Sequence, residues 1–175
     1  PRFRSHKDRW SVFFRLGISL YELKNYEAAK EYFAKVLTPG SGDYFQKGLQ
    51  YLIEVALDAK RNTELADLLV QVERLTFRLP ATQYAYGKGL YRLGRKDDAS
   101  RILNQVPATA PEYVAAQYYS GVIHTDQERL EQAEATFKRV VAVPLNDDIP
   151  KQLEIRELAI MALGRLNVEM GDQTK

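Results

Sequence analysis

The side chains able to do chemistry are few and scattered. His6 and His124 are the only histidines, and cysteine is absent. The two share no helix face, and without thiolates a structural zinc site of nitrogen and sulfur ligands is not expected. The missing cysteines also exclude disulfides and thiol catalysis, and they fit a reducing or an oxidising compartment equally. A Ser-His-Asp arrangement would have to recruit His6 or His124, and no serine elbow stands out. His124, in GVIHTDQE, reads as a helix-packing residue. No Gly-rich phosphate loop of the Walker type is present. Asp147-Asp148 lies in the proline-bounded stretch VPLNDDIP, where turn chemistry explains the pair and a cation site is the alternative. Asp97-Asp98 opens a helical segment, where negative charge suits the helix dipole. No catalytic constellation, metal site or cofactor follows from these residues.

The recognition chemistry is aromatic instead. Eleven tyrosines and seven phenylalanines occur in 175 residues, with an apolar fraction of 45% and a charged fraction of 27%. That composition belongs to a folded globular chain rather than a disordered one. The net charge of +2 supplies no field for nucleic acid or anionic membrane, so neither is expected as a partner. The apolar runs fall short of the roughly 20 residues needed to span a bilayer, so no direct membrane insertion is expected, and no signal peptide is visible. The chain starts with Pro rather than Met and reads as a piece of a longer protein.

The elements that position the aromatics repeat. Gly17 is followed by Ala29 after twelve residues, and the same interval links Gly87 to Ala99 and Gly121 to Ala133. Ala99 and Ala133 stand 34 apart. A period near 34 with helical patterning in both halves is the signature of stacked helix hairpins. A glycine inside a helix costs about 1 kcal/mol relative to alanine, so its recurrence points to a close approach. The spacing predicts that Gly17 faces Ala29 where two helices cross, with Phe33 and Val36 extending the seam.

The stretch FFRLGISLYELKNYEAAKEYFAKVL resembles a tetratricopeptide repeat. Phe13, Leu16-Gly17 and Leu20 fill the first half of that family's pattern, and Ala29, Phe33, Val36 and Pro39 the second. A third unit carries Gly87, Leu90, Gly94, Ala99, Leu103, Val106 and Pro107, and a fourth Gly121, Ala133, Phe137, Val140 and Pro144. The second fits poorly: register puts Glu54 in the glycine slot, with Ala66 and Val70 in the second half. A fifth, with Gly164 in the glycine slot, supplies only a first helix ending near Met170. The resemblance covers residues 10–172 and implies an all-α fold, a right-handed superhelical array of antiparallel helix pairs forming one α-solenoid domain over residues 1–175.

The expected helices are 10–24, 26–37, 43–60, 63–78, 81–93, 96–106, 111–127, 130–142 and 151–170, with breaks at TPGSGD and at the prolines. From Gly121 to Gly164 the interval is nine residues longer than 34, and the extra length falls around 141–155 as loop or helix. Residues 1–9 are the end of a preceding helix or a linker.

In such an array the first helices of the pairs line the inner wall. Helical geometry then selects the wall. Three before each glycine-type position stand Phe14, Tyr51, Tyr84, Tyr118 and Met161; one after stand Ile18, Val55, Lys88, Val122 and Arg165; four after stand Tyr21, Asp58, Tyr91, Thr125 and Val168. Together with Arg92, these give a candidate partner-binding set of Phe14, Ile18, Tyr21, Tyr51, Val55, Tyr84, Lys88, Tyr91, Arg92, Tyr118, Val122 and Arg165. Tyr at the ladder position also serves simple packing between neighbouring first helices. The family's clamp for a C-terminal carboxylate is not built here, since its basic slots hold Phe14, Ile18, Leu52, Ala81 and Ala85.

The expected function is therefore a non-catalytic protein–protein interaction scaffold that holds an apolar or aromatic peptide or helix within a multiprotein assembly. The alternative is a structural spacer or self-associating segment whose groove is filled by its own chain or a symmetry mate. The repeat style is similar to that of bacterial tetratricopeptide proteins, including envelope lipoproteins that organise assembly machines. That resemblance implies the cell envelope or periplasm, and the residues fit the cytoplasm as well.

Overall fold

The computed structural model describes residues 6–146, 148–149 and 151–173. The expectations for residues 1–5, and for Asp147 of the aspartate pair, lie outside the described residues. Among the described residues the chain is all-α, with nine helices and no strand: α1 (His6–Glu22), α2 (Tyr26–Ala34), α3 (Asp43–Asp58), α4 (Asn62–Val72), α5 (Pro80–Arg92), α6 (Lys96–Leu103), α7 (Tyr113–Asp126), α8 (Leu130–Ala142) and α9 (Gln152–Gln173). The helices fall into two compact units, Pro1–Leu93 and Gly94–Lys175.

In the first unit α1 packs on α2, α2 on α3, α3 on α4 and α4 on α5, while α1, α3 and α5 also touch in succession. In the second, α6 packs on α7, α7 on α8 and α8 on α9, and α7 also touches α9. Helices α2, α4 and α8 are thus each wedged between two first helices.

The turn between paired helices sets the register. Lys24, Lys60, Gly94 and Glu128 all adopt positive φ, at 57°, 56°, 79° and 58°. In three of these turns the next residue reaches back five positions, Asn25 N to Leu20 O at 2.9 Å, Arg61 N to Ala56 O at 2.8 Å and Arg129 N to His124 O at 2.9 Å. These are left-handed helix caps that satisfy the last carbonyls and redirect the chain. Only Gly94 takes that conformation without a Cβ penalty.

Counting from these turns, the buried positions of the second helices are Ala29, Phe33 and Val36; Leu65, Leu69 and Val72; Ala99, Leu103 and Val106; Ala133, Phe137 and Val140. The second repeat therefore runs one residue earlier than expected. Ile53, fully buried, holds the glycine slot instead of Glu54, and Val70 is 66% exposed. Ile53 and Leu69, both buried, hold the register positions that glycine and phenylalanine fill in the first and fourth units, which is why small-residue spacing misplaces this repeat.

The space left by Gly17 is taken by Phe33, one of the two residues expected to extend the seam. A Cβ there would lie 2.6 Å from a ring carbon of Phe33, and one on Gly121 would lie 2.5 Å from a ring carbon of Phe137. Each glycine opens a notch for the edge of an aromatic ring on the next helix.

Helix α1 begins at His6, not 10, so residues 6–9 belong to it and not to a preceding helix or a linker; two further boundaries differ for local reasons. Helix α4 stops at Val72, not 78. The side-chain oxygen of Gln46 accepts from the N–H groups of Arg78 and Leu79 at 2.7 and 2.9 Å, and Leu79 is extended ahead of Pro80. The extra length before Gly164 is helical. The loops 104–112 and 143–151 are equally long, and the additional residues lengthen the end of α8 and the start of α9.

Gly17→Ala and Gly121→Ala each lower stability by about 1–3 kcal/mol in urea denaturation, because overpacking outweighs better helix propensity. Gly164→Ala, where a Cβ meets no described atom within 4 Å, raises it by up to about 1 kcal/mol. Lys60→Gly raises the urea midpoint as well, since it relieves a positive φ of 56° worth roughly 1 kcal/mol.

Candidate functional site

Four expected wall residues of the first unit, Phe14, Ile18, Tyr21 and Tyr51, are drawn together by α1 and α3. Phe14 sits with its ring centroid 5.9 Å from Phe33, 5.6 Å from Tyr44 and 5.6 Å from Tyr51. Tyr51 stacks on Phe33 at 5.0 Å and meets Tyr21 edge-on at 5.4 Å. Tyr21 reaches Tyr26 at 6.0 Å and donates its hydroxyl to Asp58 Oδ2 at 2.5 Å. The result is a half-buried aromatic cluster rooted on the core ring Phe33 and open on its outer side. Tyr44 belongs to it and was missed. It follows the TPGSGD loop, where hairpin spacing gives no register.

Further along, Lys88 pairs with Glu54 at 2.7 Å, each side chain less than a fifth exposed. In the corrected register these two occupy equivalent positions in successive repeats. The Lys88 ammonium also lies 4.9 Å from the Tyr84 ring centroid, a cation–π contact. Lys88 thus ties α5 to α3 and is not a free cation on the wall. Val55 is 1% exposed and belongs to the core with Ala29, Phe33 and Leu52. It leaves the candidate set as a consequence of the one-residue shift. Ile18, Tyr84 and Tyr91 are half-buried. Arg92 is exposed and donates from Nε to Asn62 at 3.2 Å.

In the second unit Tyr118 lies 5.7 Å from Phe137 and 6.4 Å from Tyr119. Tyr118 and Val122 pack as half-buried residues against the core of Val114, Ala133, Phe137, Val140, Ala159 and Leu166. Tyr118 stands to Phe137 as Phe14 stands to Phe33, so the ladder has the same local construction in both units. Arg165 is exposed on α9.

The electrostatics keep these phenols protonated. Burial raises Tyr21 well above the ordinary phenol range, reinforced by its hydrogen bond to Asp58. Burial also raises Tyr51, with Glu22 and Glu54 adding to it, and raises Tyr118, with Tyr119 adding to it. His124 is held below its usual value, first by burial and then by Arg129 and Arg139. The imidazole on α7 is half-buried and favours its neutral form. Among the described residues no group of three or more histidines and carboxylates is placed to hold a metal ion, and no helix is long and apolar enough to cross a membrane. The surface is suited to apolar contact bordered by phenol donors.

Two family models, both described as tetratricopeptide repeat, match residues 84–147 and 11–38, together more than half of the chain. The unmatched stretch between them holds the repeat in which Ile53 stands for glycine. No curated protein matches the chain.

Stability falls as pH rises beyond about 10, the ordinary tyrosine range. The folded chain retains protons on Tyr21 and Tyr51 that the unfolded chain releases, so their contribution is complete below that pH and is lost above it. Tyr21→Phe and Tyr51→Phe each flatten this alkaline limb in urea midpoints measured from pH 8 to 11.

Proposed function

Because the chain belongs to the tetratricopeptide repeat family, whose repeats mediate protein–protein interaction, we propose that its first-helix faces hold an apolar or aromatic segment of a partner protein. The family is typically a non-catalytic scaffold, and the proposed role is that of a binding surface rather than of a reaction centre.

One observation carries the reading. The aromatic ladder residues Phe14 and Tyr118 are each seated against a buried core ring, at 5.9 and 5.7 Å, while remaining partly exposed. Rings held this way lose little rotamer freedom on binding and offer a large area with a polar tip. Ile18, Tyr84, Tyr91 and Val122 extend the same kind of surface. Arg92 and Arg165, both exposed, supply charge at its margin, where they tune partner choice and association rate more than affinity. An amphipathic helix or an extended segment is the guest that such a face suits.

Peptides selected against the chain from a displayed library will be rich in aromatic and aliphatic residues. Tyr84→Ala combined with Tyr118→Ala will weaken the selected peptides at least tenfold with helicity intact by circular dichroism. Undiminished binding would remove these faces from the account. A mass that rises with concentration in light scattering, and falls with the same double substitution, would favour self-association over a separate partner.

A further inference from the structure

The first helices of the four hairpins end on equivalent residues. Glu22, Asp58, Arg92 and Asp126 close α1, α3, α5 and α7, each two before the cap at Lys24, Lys60, Gly94 or Glu128. The second helices likewise open on equivalent residues, Tyr26, Asn62, Lys96 and Leu130. The two series meet one repeat apart. Asn62 accepts from Arg92 Nε at 3.2 Å, and the Lys96 ammonium lies 3.3 Å from Asp126 Oδ2. In the second unit, then, a carboxylate at the end of a first helix receives a cation from the preceding hairpin.

In the first unit that cation is missing. Asp58 supplies the carboxylate, and Tyr26 holds the position that Lys96 holds for Asp126. Asp58 accepts the Tyr21 hydroxyl through Oδ2, and its Oδ1 has no partner among the described residues. Glu22, Lys24 and Lys60 form no ion pair among the described residues, and Glu54 is already taken by Lys88. Neither α1 nor α3 carries a basic residue in its last turn, so Glu22 and Asp58, both exposed, add to the negative end of a helix dipole.

Aromatic rings border this unmatched charge. The Tyr21 ring lies 6.0 Å from that of Tyr26 and 5.4 Å from that of Tyr51, centroid to centroid, and all three are half-buried. The charges acting on Tyr21 and Tyr51 are carboxylates, Asp58 and Glu54 on the one and Glu22 and Glu54 on the other. On Tyr118, in the second unit, the charge is that of Arg165. Phenol rings beside an exposed carboxylate complement a guanidinium, which stacks on rings and donates to carboxylates from one rigid plane.

We propose that the aromatic face of the first unit takes an arginine side chain of the partner segment, its guanidinium lying against Tyr21, Tyr26 and Tyr51 and donating to Asp58 Oδ1, with Glu22 adding its charge. The arginine gives Asp58 what Lys96 gives Asp126. This rests on the reading of the first-helix faces as a partner surface, and it supplies the partner's chemistry: an arginine set among apolar residues.

The test selects short random peptides, displayed as a library, against the intact chain, and reads the enriched peptides by fluorescence anisotropy. Arginine should be enriched among them. Citrulline in its place, which keeps the shape and removes the charge, should weaken binding at least tenfold. Asp58→Asn, which keeps an oxygen for the Tyr21 hydroxyl, should do the same with helicity intact by circular dichroism, and should leave the citrulline peptide unaffected. Enriched peptides without arginine, or binding indifferent to citrulline or to Asp58→Asn, overturn the inference. If such peptides still weaken with Tyr84→Ala combined with Tyr118→Ala, the broader apolar reading stands. If they ignore that double substitution as well, it falls with the inference.

Discussion

An aromatic ring edge lodged over a glycine is the contact from which the rest of the structure follows. With no Cβ on Gly17 or Gly121, the rings of Phe33 and Phe137 sit where any other residue's side chain would begin. That closeness fixes how deep the second helix lies against the first. It also fixes which side chains of the first helix are turned away from the seam. Phe33 and Phe137 present their other flanks to Phe14, Tyr51 and Tyr118. Core closure and the exposed aromatic ladder therefore share the same two rings.

A second set of contacts, polar and one repeat apart, holds neighbouring hairpins in step. Glu54 pairs with Lys88, Tyr21 with Asp58, Lys30 with Glu64 and Glu27 with Arg61. The partly exposed pairs add little stability individually. The Glu54–Lys88 pair is mostly shielded, so removing one member strands the other at a real cost. Of the ion pairs, Glu54–Lys88 joins the first helices α3 and α5, while Lys30–Glu64 and Glu27–Arg61 join the second helix α2 to α4 and the turn before it.

Much of this was legible in the sequence. Gly17, Ala29 and Phe33, repeated as Gly121, Ala133 and Phe137, gave hairpin positions that agree closely with the helices, because a glycine under a ring is costly to replace. The second repeat was misread by one residue because Ile53 and Leu69, both buried, hold the glycine and phenylalanine positions with aliphatic side chains, which carry no distinctive spacing. A better signal lay in the turns, since Lys24, Lys60 and Glu128 each stand five before the first buried residue of the next helix, but positive φ at a charged residue has no sequence mark. Val55 followed that slip into the candidate wall. Tyr44 and the Glu54–Lys88 pair needed three-dimensional contacts between repeats before their place could be seen.

The most direct test of the ring-over-glycine seam is a double-mutant cycle of Gly121→Ala and Phe137→Leu, read by urea denaturation. If the ring edge over Gly121 is the source of the tight fit, Gly121→Ala loses most of its destabilising effect once Phe137 is leucine, with a coupling of about 1 kcal/mol or more. Additive effects within a few tenths of a kcal/mol would contradict the account.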